Sequence, residues 1–287
     1  MKPSLIIKRI PILNRLLFWH RHKQRKQQRR ALAMSYYTAK LEYVERWVTD
    51  SKETTNFTYE LHPTNCEYLA SFVSIVTGVP ERTISGYIAE VLTDERLRDH
   101  VREATENAPP DIRAEADPHA GFSRRVGWYA VVRAMRPKVV IETGVDKGLG
   151  ACVLCAALMA NDREGDPGKY FGTDINPRAG WLLSGAYKKY GTILYGDSLD
   201  SLTNFTDSID VFINDSDHST EYERKEYELV EQKMSDHAVI LGDNAHCNSE
   251  LHDFSIRSNR QFLYWQEWPI NHWYPGGGIG FSFKLPR

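Results

Sequence analysis

The stretch Val139-Val-Ile-Glu-Thr-Gly-Val-Asp-Lys-Gly-Leu-Gly150 constrains this chain more than any other. An apolar run leads through Glu142 into a loop with glycines at 144, 148 and 150. A helix-forming run without glycine or proline follows, over residues 151–161. Strand, glycine turn and helix is how a doubly wound α/β domain opens a nucleotide pocket at the carboxyl end of its first strand. The spacing, Gly-x-x-x-Gly-x-Gly, is not the Gly-x-Gly-x-x-Gly that cradles a pyrophosphate. Glu142 stands two residues before the first glycine, and Asp146 lies inside the loop. Carboxylates there repel a pyrophosphate and suit a ligand bearing an ammonium and a sulfonium.

From about residue 120 onward, strands and helices alternate. A helix is predicted over 125–135, ended by Pro137. Strands are predicted over 139–142, 170–174, 192–195, 210–214 and 237–241. Between them, helices are expected over 181–189 and from a Thr220/Glu223 capping box to about Met234. A closing strand pair, 262–268 and 279–284, is joined across Pro275-Gly-Gly-Gly278. The pattern predicts an α/β fold: a doubly wound, mostly parallel seven-stranded sheet with one antiparallel strand, preceded by a helical region.

Ligands in such sheets bind at the carboxyl strand ends. Strand two ends in Gly172-Thr-Asp174-Ile-Asn-Pro177, where Asp174 can accept ribose hydroxyls or, alternatively, shape the turn before the proline. Strands four and five end in Asn214-Asp-Ser-Asp-His218 and Gly242-Asp-Asn-Ala-His246. Asp215, Asp243 and Asn244 would then aim two carboxylates and an amide carbonyl at one spot. Those are hard oxygen ligands, suited to Mg2+, with Mn2+ or Ca2+ as alternatives. Helix capping without a metal is the competing reading.

The acid-x-Gly-x-x-x-Gly-x-Gly motif resembles that of the class I S-adenosylmethionine-dependent methyltransferases. With the strand-four and strand-five signatures, residues 120–287 look like the metal-dependent O-methyltransferase branch, the catechol and macrolide-sugar enzymes. The resemblance implies S-adenosylmethionine bound by Glu142, Thr143, Gly144, Gly148, Gly150, Asp174, Ile175, Asp197, Ser198 and Asp215. Asp174 would meet the ribose and Asp197 the adenine amino group, unless Asp197 only caps a helix. It also implies a metal on Asp215, Asp243 and Asn244. The Asp-Ser-Asp-His string is similar to the Asp-Gly-x-His string of sugar-directed members, which implies His218 as general base with Asp215 beside it. His246 is a weaker candidate. Catechol enzymes carry a lysine soon after the strand-four acid, whereas the next lysine here is Lys225, in a predicted helix. The expected acceptor is therefore a sugar or glycan-type hydroxyl, with a secondary metabolite as runner-up. A non-catalytic cofactor-binding partner subunit and an NAD-dependent enzyme are the alternatives from other classes.

Net charge is −2, but residues 1–30 hold ten Lys or Arg and no acid, against 26 basic and 38 acidic residues in the remainder. The sequence thus divides into a basic arm, 1–30, a helical region, 31–120, and the cofactor-binding domain, 121–287. Ile6, Ile10, Leu13 and Leu17 fall at helical spacing, with Phe18 and Trp19 behind them, and Pro11 is expected to kink or restart such a helix. An amphipathic segment beside a polybasic run can lie on an anionic membrane. The same arm is too broken by charge for a signal peptide or a bilayer span. Nucleic acid is not an expected partner, because no other part of the chain is basic. In 31–120, helices are expected over 31–51, 65–76, 83–92 and 94–106, the last capped by Thr93, with 107–111 as a linker. A lid or an element of a homo-oligomer is the plain reading of that region. Cys152-x-x-Cys155 sits inside an apolar run and reads as core rather than redox or metal chemistry. The expected compartment is the cytoplasm, with the arm peripheral to the inner membrane face.

Overall fold

The computed structural model describes residues 11–285. It falls into two compact units that divide between Asp50 and Ser51. The first holds α1 (Pro11–Asp50), one uninterrupted helix that continues through residue 30, where the sequence marks a change of charge. No glycine or proline follows Pro11 in it, and Arg, Lys, Gln, Leu and Ala favour the helical state. Leu17, Trp19, Leu32, Met34 and Tyr36 are all exposed. They point around the helix rather than along one stripe. Ile6 and Ile10 of the expected apolar face, like the side chain of Leu13, lie outside what is described.

The second unit begins with α2 (Pro63–Thr77), α3 (Glu81–Leu92), α4 (Glu95–Glu106) and the single turn α5 (Pro110–Arg113), which lies in the expected linker. Asp94, not Thr93, caps α4, its carboxylate accepting from the Leu97 amide at 3.0 Å. Next come α6 (Arg125–Met135), β1 (Val139–Thr143), α7 (Leu149–Arg163), β2 (Lys169–Asp174) and β3 (Gly191–Tyr195). The chain continues through α8 (Ser198–Asn204), β4 (Ile209–Asn214), α9 (Thr220–Glu231), β5 (Met234–Asp243) and α10 (Glu250–Arg257). It closes with β6 (Gln261–Trp265) and β7 (Ile279–Phe283). The sheet order is β3-β2-β1-β4-β5-β7-β6, and β7 alone runs antiparallel to both its neighbours.

Two expected local features are absent. Residues 181–189 do not form a helix; only a 3-10 turn, Tyr187–Tyr190, remains of it. Gly180 and Gly185, at φ +72 and +54, take left-handed conformations that no helix contains. The Thr220/Glu223 capping box does not form either. Ser219 is the N-cap, without a side-chain bond, and Glu223 is engaged elsewhere.

Alternation along the central strands builds two cores. Val140, Val211, Ile213, Val239 and Leu241 face one, with α6 and α7; Val139, Ile141, Phe212 and Ile240 face the other, with α9 and α10. Helices α2 to α4 add Leu69, Val73, Ile84, Val91 and Leu97 to the first core, so they are part of its packing layer. Cys152 and Cys155 are free and buried there. Parallel register sets Thr143 beside Thr173 and Asn214, and Asn214 beside Gly242. Gly144, Asp174, Asp215 and Asp243 therefore emerge side by side along one edge.

Phe212 is fully buried at the centre of β4. Phe212→Ala is expected to cost about 3–5 kcal/mol of stability, read by urea unfolding, through lost burial and the cavity it leaves.

Candidate active site

The glycine loop owes its shape to three close approaches. Gly144 has φ +80, and a Cβ there would fall 2.0 Å from the Asp215 carbonyl oxygen. Its amide donates to the Thr173 carbonyl at 2.9 Å, which locks the end of β1 to that of β2. Gly148, at φ +96, caps α7 with its backbone against Gly180. At Gly150 a side chain would strike Glu142 Oε1 and Trp128. Glu142 is thus wedged under the first turn of α7, where the Tyr170 hydroxyl donates to it. Burial raises its pKa to about 7.

An open cleft of about 500 Å3 lies over the ends of β1, β2, β3 and β4. Gly144, Asp174, Ile175, Asp197, Ser198 and Asp215 all line it. The Asp174 carboxylate accepts from the Asp146 amide at 2.9 Å and the Asn176 amide at 2.8 Å. It is fixed in place with lone pairs to spare. Ile175, beside it, is 79% exposed, an apolar side chain left open at the cleft. Asp197 is the N-cap of α8, accepting from the Leu199 amide and the Tyr222 hydroxyl, both at 2.8 Å. The cap reading of Asp197 and its place in the cleft hold together. Ser198 is turned down toward Glu226, and Thr143 likewise, at 3.2 Å. Glu226, fully buried beneath the cleft, also takes Ser216 and Asn214, and burial raises its pKa to about 7.

At the β4–β5 end the structure gathers Asp215, His218 and Asp243, with ligand-type atoms all within 4.8 Å of one another. Burial first, then the facing Asp243 charge, push the Asp215 carboxyl well above its usual range. Arg124, at the start of α6, relieves the crowding. It forms an ion pair with Asp243 and comes within 3.8 Å of Asp215. Asn244 turns its amide nitrogen to Asp243 at 2.9 Å and to His218 Nε2 at 3.3 Å. A half-turn about Cβ–Cγ would present its carbonyl instead. The chemistry of the donor set fits a divalent cation. Arg124 already places a positive charge on the same two carboxylates.

His218 is held by the acid expected to close the Thr220 capping box. Glu223, 2% exposed, accepts from His218 Nδ1 at 3.1 Å, which leaves Nε2 facing Asp215 at 3.7 Å. Asn248 ties Glu223 to the His218 carbonyl, at 3.0 and 3.2 Å. His246 is exposed beside Cys247 and stays outside this cluster. Arg124 and Glu226 carry no expected role in the sequence, and Glu223 is expected only as a capping residue. The visible sign was the pair Arg124-Arg125 set against the apolar run of α6, where charges need partners.

Residues 141–245 match the family model of the methyltransferase domain. No curated protein matches the chain. Among solved structures, a methyltransferase from Geobacter sulfurreducens is similar, with 17% identity, 72% of this chain and 99% of the other covered, and a TM-score of 0.49. An SAH-bound methyltransferase from Podospora anserina shares 13% identity over 81% of this chain and all of its own, with a TM-score of 0.47. A putative O-methyltransferase from Klebsiella pneumoniae shares 13% over 69% and 94%, also with a TM-score of 0.47. The matched segment runs from β1 to the end of β5, and so carries the cleft and the acid cluster.

Gly144→Ala should force the β4 end away from the loop. The expected result is a lower Tm by scanning calorimetry, and an unchanged Tm would contradict the close approach.

Proposed function

We propose that this chain is an S-adenosylmethionine-dependent O-methyltransferase acting on a hydroxyl of a sugar or glycan-type acceptor. The observation that carries this reading is that His218, Asp215 and Asp243 converge at one end of the cleft that Asp174 and Asp197 line. In this reading Asp174 accepts the ribose hydroxyls, Ile175 covers one face of the adenine, and Asp197 lies at its edge. Gly144 lets the backbone approach the ligand where a side chain would not fit. S-adenosylmethionine supplies an activated methyl group, so the protein has to furnish a nucleophile and an in-line approach.

His218 is suited to take the hydroxyl proton at Nε2. Glu223 holds the opposite ring nitrogen, which fixes both tautomer and orientation, as the carboxylate of a catalytic triad does. Burial alone would lower the His218 pKa. The Glu223 hydrogen bond and the Asp243 charge outweigh it, and the pKa lies above the ordinary 6.5. The neutral base therefore appears only above that value. Turnover should rise with pH through an apparent pKa above 6.5, and His218→Ala should lower kcat about 10²–10⁴-fold. A loss below several-fold would reduce His218 to support.

Asp215 and Asp243 would hold a divalent ion, Mg2+ in the first instance, with Asn244 offering its carbonyl after the half-turn. A bound ion lowers the pKa of a coordinated hydroxyl. The Arg124 ion pair favours a second reading, in which the guanidinium serves as the resident cation and no metal is needed. EDTA separates the two. The metal reading expects turnover to fall on chelation, to return with Mg2+, and to be lost in Asp215→Ala. Turnover indifferent to EDTA and Mg2+ would rule that reading out.

The basic first half of α1 supports peripheral contact with an anionic membrane surface. Its exposed Phe18 and Trp19 precede six Lys or Arg between residues 20 and 30. No helix among the described residues is long and apolar enough to cross a membrane. The intact chain should co-sediment with phosphatidylserine vesicles at low salt and be released by about 0.5 M NaCl, because screening shortens the electrostatic reach. Equal sedimentation with neutral vesicles would contradict this contact.

A further inference from the structure

A narrow second pocket opens beside the nucleoside cleft. The two share Asn56, Gly144, Asp146 and Asp215. Arg125 and Lys147 bring positive charge to its wall, and Glu53, Asp117 and Glu142 bring negative charge. A pocket lined by both signs suits a zwitterion better than a simple anion or cation.

Arg125 is the first residue of α6 and is 5% exposed. The one hydrogen bond its side chain makes among the described residues is a long contact of 3.5 Å from Nη1 to Ser123 Oγ, and Nε makes none. The guanidinium lies 5.5 Å from the Trp128 ring centroid. No carboxylate among the described residues forms an ion pair with it. The other buried arginines each hold a carboxylate or carbonyl partner. Arg124 holds Asp243; Arg133 holds Glu90 and Glu164; Arg260 donates to Ser282 and to the Ala238 carbonyl. A guanidinium has five donors in a fork that matches a carboxylate, and burying one without a partner is costly. Arg125 therefore has donors in reserve, in the pocket that continues from the nucleoside cleft.

We propose that Arg125 binds the α-carboxylate of the amino-acid end of S-adenosylmethionine and S-adenosylhomocysteine. This rests on the cofactor reading above. It adds that the ligand runs from the Asp174 cleft past Gly144 and Asp215, and ends with its carboxylate on the Arg125 fork. Arg125 is a binding residue in this scheme and takes no part in proton transfer.

Two ligands test it by calorimetry on the full chain: S-adenosylhomocysteine, and 5′-methylthioadenosine, which keeps the nucleoside and thioether but lacks the amino-acid carboxylate. The wild type should bind the first about 10–100-fold more tightly, the range for a charge-assisted carboxylate contact. Arg125→Gln should remove most of that preference by weakening S-adenosylhomocysteine alone, with methylthioadenosine affinity within about twofold of wild type. Arg125→Lys, which keeps the charge and loses the fork, should fall between. Equal affinity of the wild type for both ligands would overturn the proposal, and needs no variant. So would an Arg125→Gln chain that keeps the preference, or one that loses both ligands equally. A wild type that binds neither ligand would instead overturn the cofactor reading itself.

Discussion

Two carboxylates occupy one buried corner of this molecule, and the Arg124 ion pair allows it. Asp243 is 1% exposed and the Asp215 side chain 8%, and their charges oppose each other. Without a cation the corner would hold uncompensated charge in a low-dielectric setting, which costs far more than one hydrogen bond returns. Arg124 is placed there because α6 begins at the edge where β4 and β5 end. The same helix start sets Arg125 beside the glycine loop. The first turn of α6 thus divides its two arginines between the acid cluster and the pocket beside it.

Much of this edge depends on buried acids that are themselves satisfied. Glu142 receives Tyr170 and props the first turn of α7; Glu226 gathers Ser198, Ser216, Thr143 and Asn214 beneath the cleft. Both have raised pKa values from burial, so each is a group whose proton is held near neutral pH. A third buried acid, Glu223, fixes a histidine instead of a loop. Glu226 ties the ends of β1 and β4 together, and no disulfide forms among the described residues.

The sheet was legible because its strands are short apolar runs bounded by turn residues. Burial on both faces demands such runs whatever the loops do. The strand ends were legible because an acid after an apolar run has few reasons to be there. The helix expected over 181–189 is absent, since Gly180 and Gly185 break it through left-handed backbone rather than through any change in hydropathy. Glu223 has the spacing of a capping box, and local pattern could not reveal that His218 and Asn248 would claim it. Arg124 and Arg125 lie in sequence far from the acids and the loop they meet. Contacts across more than a hundred residues, such as Arg124 to Asp243, leave no periodic trace in a single sequence.

The central claim is that the cleft over β1 and β2 receives the adenosine of the methyl donor, with Asp174 accepting its ribose hydroxyls. Titration of S-adenosylhomocysteine into the native chain and into Asp174→Ala tests this most directly. The account predicts saturable binding to the native chain that weakens about 10–100-fold in the variant, the loss of hydrogen bonds to a charged acceptor. No binding to the native chain, or the same affinity in both, would contradict it.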